Sequence, residues 1–240
     1  MFFKKTFIVS FLLLCAFMAN VSVVNDTIID PDFSFCAEEL TDETIISFVQ
    51  YLDISPMSEK AEIDVIHCFD VNEKGIIAIG HDTQKNSIEV IDQDGTFLYG
   101  YEFNCGGSFR IKWDNDNIIL FILRGQYAIT LSPEGKVLDA KTFDHHDWTE
   151  YIHSQIRNVN GTEYRIYNTG IFAYIGYDYS HLNSIDKDGT EKIIYNAEGV
   201  QSIKVMFVLF LSLCFSTAVI FIVIKAIKRT RKEYLSKLGK

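Results

Sequence analysis

The 240-residue sequence predicts a mainly β protein. About three four-stranded antiparallel units form a partial ring or a curved sheet stack, with one soluble helix before them and one membrane helix after them. Three observations carry that reading. Apolar runs of strand length recur through the middle of the chain, each bounded by turn residues. An acidic residue followed by glycine recurs as Asp94-Gly95, Glu134-Gly135 and Asp188-Gly189, 40 and then 54 residues apart, each time between two apolar runs. Residues 205–224 form a run of twenty without a charge, enough helix to span the roughly 30 Å of a bilayer core.

Residues 1–20 have a short basic start, Lys4 and Lys5, and an apolar run from Phe7 to Ala19 interrupted only by Ser10. This is the build of a secretory signal peptide, or of a signal anchor if it is not cleaved. Residues 21–60 form an N-terminal segment with a helix at 41–52. Thr41 caps it, Asp42 and Glu43 suit its first turn, and Ile45, Phe48, Val49 and Leu52 make one apolar stripe. Pro56 lies just beyond its end.

Residues 61–198 carry the strands. The first unit reads as 63–69, 76–80, 87–92 and 96–103; the second as 109–113, 118–123, 127–131 and 136–143. The third is longer: 155–159, 162–167, 171–175, 182–185 and 190–195, with Asn160-Gly161 as a type I′ turn between its first two strands. Residues 118–123 are apolar at every position, so that strand is expected to be buried on both faces. The membrane helix is placed at 204–224, bracketed by Lys204 and Lys225. Residues 225–240 hold seven basic residues and one acid, a basic tail expected in the cytoplasm with the β domain outside.

The units resemble the blades of β-propeller proteins, especially the quinoprotein-like and NHL-like kind, in the stretches FDVNEKGIIAIG and IEVIDQDGTF. The resemblance covers roughly 61–197. It implies four strands per blade at a period near forty residues, and this chain has room for about three blades where propellers have typically four to eight. An open curved stack, a partial fourth unit from the N-terminal segment, or a homodimer completing one ring would each satisfy that count. The docking motif of quinoproteins is not visible, so no cofactor is expected.

Charge narrows the partners. The net charge is −10, yet the tail contributes +6 and the first twenty residues +2, so the segment between them carries −18. That excludes nucleic acid, which requires a basic surface. The remaining partners are the lipid bilayer, a protein or glycan outside the cell, and a second copy of the chain. Of the five cysteines, Cys36, Cys68 and Cys105 lie outside the apolar end segments, an odd number that allows one disulfide or none.

Candidate sites are few. Phe97, Tyr99, Tyr101 and Phe103 alternate, so a continuous strand would put four rings on one face, either as a ligand or partner surface or as packing against the next unit. Tyr164, Tyr167, Tyr174, Tyr177 and Tyr179 raise the same choice. Asp92-Gln93-Asp94-Gly95 and Asp186-Lys187-Asp188-Gly189 open like calcium loops but lack the distant acid, and read as hairpin turns. Asp144-His145-His146-Asp147, with His153 beyond, is the one cluster of metal-ligand types, and adjacent histidines in a strand point to opposite faces. Gly106-Gly107-Ser108 is a glycine turn entering a strand, and no nucleophile elbow, P-loop or dinucleotide fingerprint is present. The expected function is a non-enzymatic one: a membrane-anchored extracellular domain for binding at the cell surface. An accessory subunit or sensor acting through another membrane protein comes next, and a cell-envelope hydrolase last.

Overall fold

A computed structural model describes residues 37–39, 42–143, 153–169 and 178–238. The signal segment 1–20, the cluster 144–147, the strand at 171–175, Cys36, Tyr174 and Tyr177 lie outside the described residues. The described chain contains three antiparallel sheets and a C-terminal apolar helix. It divides into two units at Glu198/Gly199, the sheets in one and nearly all of the long helix in the other.

The first sheet has the order β2 (Ser55–Met57), β6 (Phe97–Phe103), β5 (Asn86–Ile91), β4 (Ile77–His81), β3 (Cys68–Val71). The second runs β1 (Ala37–Glu39), β10 (Val137–Phe143), β9 (Tyr127–Leu131), β8 (Asn117–Ile122), β7 (Phe109–Asp114). The third is β11 (Ile156–Val159), β12 (Thr162–Tyr167), β13 (His181–Ile185), β14 (Glu191–Asn196). Two of the three sheets thus have five strands where four were expected. The extra strands come from the N-terminal segment: β2 pairs with β6 and β1 with β10, each covering an outer edge. Pro56, expected only to follow a helix, sits in β2, and an edge strand tolerates its missing N–H. The chain between them forms a short helix, α1 (Asp42–Leu52), which sets Leu52 in the core beside the second sheet and places the Phe48 ring 4.2 Å from that of Tyr127.

The first sheet is the middle layer. Ala78, Ile88, Val90, Tyr101 and Phe103 face the second sheet's Phe109, Ile111, Trp113, Leu120 and Ile129. Phe69, Ile77, Ile79 and Ile91 face the third sheet's Tyr164, Ile166 and Leu182. Alternate residues of one strand serve opposite cores, so β3, β4 and β5 are buried at every position. In β8 the five residues from Ile118 to Ile122 are also all buried, as their unbroken apolar run predicts. The first strand begins later than expected, at Cys68 instead of Ile63, and just ahead of it Ile66 bridges to Tyr179 of the third unit.

The acid-glycine turns share one construction. The Asp92 carboxylate accepts the N–H groups of Asp94 and Thr96, its N–H donates to the Thr96 carbonyl, and Gly95 closes the turn at φ +80°. Ser132 and Asp186 begin the same ring in the turns through Gly135 and Gly189. At Asn160-Gly161 both residues have positive φ, 53° and 85°, the type I′ turn the dipeptide predicts.

The second helix, α2 (Glu198–Leu238), extends in both directions past the 204–224 stretch, and Asn196 caps its start by accepting the Glu198 N–H. Its segment Glu198–Arg229 is long and apolar enough to cross a membrane. Phe207, Phe210, Phe215 and Phe221 all stand exposed on it, a state that water does not favour and lipid does.

Candidate functional site

β3, β7 and β11 are edge strands of their sheets, and all three meet. Two polar nodes join them. In the first, Asp70 of β3 is 1% exposed and Arg157 of β11 is 5% exposed. Arg157 Nε donates to Asp70 Oδ1 over 2.7 Å, and Nη1 donates to the Ile156 carbonyl over 3.0 Å. The other Asp70 oxygen accepts the Trp113 N–H over 2.7 Å, and the Trp113 indole N–H donates to the Asp70 carbonyl. One carboxylate therefore ties the edges of all three sheets. The Arg157 guanidinium also lies 5.2 Å from the centre of the Phe69 ring.

The second node lies where the chain enters these strands. His67 precedes β3, Ser108 and Arg110 stand at the start of β7, His153 precedes β11, and Asp178 precedes β13. His67 Nδ1 lies 2.9 Å from Asp178 Oδ1, and its Nε2 lies 2.9 Å from Ser108 Oγ and 2.6 Å from Arg110 Nη1. The partners assign the tautomer: Nδ1–H donates to the carboxylate, and Nε2 accepts, because a guanidinium can only donate. Arg110 Nη1 also donates to the Phe109 carbonyl and to Ser108 Oγ, at 2.7 and 3.0 Å. Nη2 reaches His153 Nδ1 at 3.4 Å. His67 and Asp178 keep 12% and 29% of their side-chain surface, and His153 is exposed, so the node opens to solvent.

Ser108, His67 and Asp178 stand in the order of an acyl-transfer triad. The glycine turn ahead of Ser108 shows no sign of it in sequence, because its partners lie 41 and 70 residues away along the chain. Arg110 alters what the line can do. Its donation to Nε2 occupies the lone pair that a general base would use to take the serine proton.

The aromatic row is placed otherwise than alternation suggests. A bulge between Val90 and Ile91 sets Phe97 opposite Ile91 and Tyr99 opposite Val90. The Phe97 ring consequently lies beside Gly100 and Met57, on the face opposite Tyr99, Tyr101 and Phe103. Tyr101 and Phe103 are buried against the second sheet, with the Tyr101 hydroxyl donating to the Ser132 carbonyl over 2.6 Å. Burial raises the Tyr101 phenol above its usual range and pushes that of the half-buried Tyr99 up to about 12. The later tyrosines are also partly spent inside: Tyr164 is buried, and Tyr179 pairs its backbone with Ile66.

Cys68 and Cys105 are free thiols; burial pushes Cys68 up to about 12 and raises Cys105 as well, which makes both poor nucleophiles. Among the described residues no three His, Cys, Asp or Glu side chains gather around a metal position. No protein-family model matches the chain, and no curated protein is similar to it in sequence.

Proposed function

We propose that the chain is a membrane-anchored binding domain whose three sheets are propeller-like blades, held outside the cell by α2. The basic residues 225–240 lie on the cytoplasmic side, and the acidic β unit lies on the other. The ligand or partner sits at the mouth formed by His67, Ser108, Arg110, His153 and Asp178. One observation carries this reading: the inner edges of three separate sheets deliver partly exposed polar side chains to one place, fixed by mutual hydrogen bonds. A photo-crosslinking residue in place of His153, used on intact cells, tests it. The expected result is an adduct that disappears when Arg110→Glu is added. An adduct pattern that ignores Arg110, or a position 153 shielded inside the cell, contradicts the reading.

A second reading, an envelope hydrolase, is favoured by the 2.9 Å steps from Ser108 to His67 to Asp178. A fluorophosphonate probe separates the two. Labelling of Ser108 that rises in Arg110→Gln supports the hydrolase; no labelling in either protein supports the binding domain.

A further inference from the structure

Arg110 is fastened on one side and open on the other. Nη1 is used by the Phe109 carbonyl, Ser108 Oγ and His67 Nε2. Among the described residues nothing accepts from Nε, and Nη2 has only His153 at 3.4 Å, long for a hydrogen bond. The N–H groups of Nε and Nη2 run parallel, with a spacing that fits the two oxygens of a carboxylate. The same contacts show a charge imbalance. No carboxylate touches Arg110 among the described residues, whereas Arg157 on the neighbouring edge strand has Asp70 against it. A guanidinium already held in place loses little freedom on meeting a ligand, so the fork is prepared in advance.

The geometry points to a carboxylate-binding subsite: one singly charged carboxylate of an external ligand seated on Nε and Nη2 of Arg110, with His153 beside it. This rests on the binding-domain reading and names the chemistry of its ligand. A monoanion suits the node better than a phosphate dianion. Asp178 already supplies one negative charge through His67, so a dianion would leave the site with two more negative charges than Arg110 offsets. The acidic unit around it works in the same direction.

The test uses the full chain in detergent, with sodium acetate replacing sodium chloride at constant ionic strength and thermal melting as the readout. A ligand that binds only the folded state raises Tm in a saturable way. The expected result is a saturable rise for the wild type, none for Arg110→Gln, and an affinity about tenfold weaker or more for Arg110→Lys, whose point charge cannot form the fork. Arg165→Gln, on β12 where Glu163 holds the guanidinium, should respond like the wild type. If Arg110→Gln does not fold, the Arg110→Lys arm decides alone. An equal rise in Arg110→Gln or Arg110→Lys, an equal rise with inorganic phosphate, or no saturable rise in the wild type would each overturn the subsite. Loss of the acetate effect with the Arg110-dependent adduct at position 153 retained removes only the carboxylate. Loss of both removes the binding-domain reading as well.

Discussion

Arg157 and Arg110 occupy comparable places and do different things. Each stands on or near the start of an inner edge strand, and each reaches across to the first sheet. Arg157 meets Asp70 there and is sealed at 5% exposure. Arg110 meets His67, a neutral acceptor, and remains partly open. What lies opposite decides the outcome. A buried carboxylate turns an arginine into a fastening between sheets, and a neutral imidazole leaves it with charge and donors to offer. The difference depends on two residues of one short stretch, His67 and Asp70, three positions apart.

The largest expected effect comes from the closed node. Asp70→Asn leaves a buried guanidinium without its counter-charge, which typically costs about 3–5 kcal/mol. Urea denaturation should show a midpoint shift of that size, and Arg157→Met added to Asp70→Asn should recover part of it. A loss near zero would mean that the three edges are held by their apolar contacts alone.

Next come the turns that join β5 to β6 and β13 to β14. Gly95 and Gly189 both have φ near +80°, so a valine at either is strained by about 1–2 kcal/mol. A Cβ at Gly95 would also lie 2.9 Å from the Ile194 carbonyl of the third sheet, while at Gly189 it would meet nothing within 4 Å. Gly95→Val should therefore lower the melting temperature more than Gly189→Val. Equal losses would show that the first hairpin does not press on the third sheet.

The turns were legible in the sequence because their chemistry is local. Asp92, Asp94, Gly95 and Thr96 build the whole ring among themselves, and the strands on either side follow from apolar runs. The edge strands β1 and β2 were not legible: three residues each, AEE and SPM, carry no period, and their existence depends on a distant partner. The bulge at Leu98 was hidden for a related reason, since alternation in the sequence continues through it while the backbone slips by one. The two nodes could not be assembled from the sequence, where Ser108 and His153 stood out only on other grounds. Asp70 and Arg157 are separated by 87 residues, and His67 and Asp178 by 111, so each looks like an ordinary polar residue next to a strand until the sheets are brought together.

Arg110→Gln should cost much less than Asp70→Asn, under about 1 kcal/mol, because the residue is partly exposed and the groups it leaves behind are neutral and can reach water. A cost matching that of Asp70→Asn would make Arg110 a second fastening and remove the contrast.

The smallest effect concerns pH. The N–H of Thr96 holds the Asp92 carboxyl below its usual value of 3.8, and the N–H of Thr190 does the same for Asp188. A depressed carboxyl contributes stability that is full above the unfolded value and is lost as pH falls through the lower folded one. Asp92→Asn should therefore flatten the loss of stability below pH 3.8 and leave its slope near neutrality unchanged. A change in slope near neutrality would place the linkage elsewhere.

The contrast between the two arginines can be read in one measurement. Native protein treated briefly with phenylglyoxal, an arginine reagent, is digested and the adducts are located by mass spectrometry. Arg110 should be modified and Arg157 protected, and modification of Arg110 should slow when acetate replaces chloride. Modification of Arg157 as fast as Arg110 in the folded protein, or an Arg110 that never reacts, would contradict it.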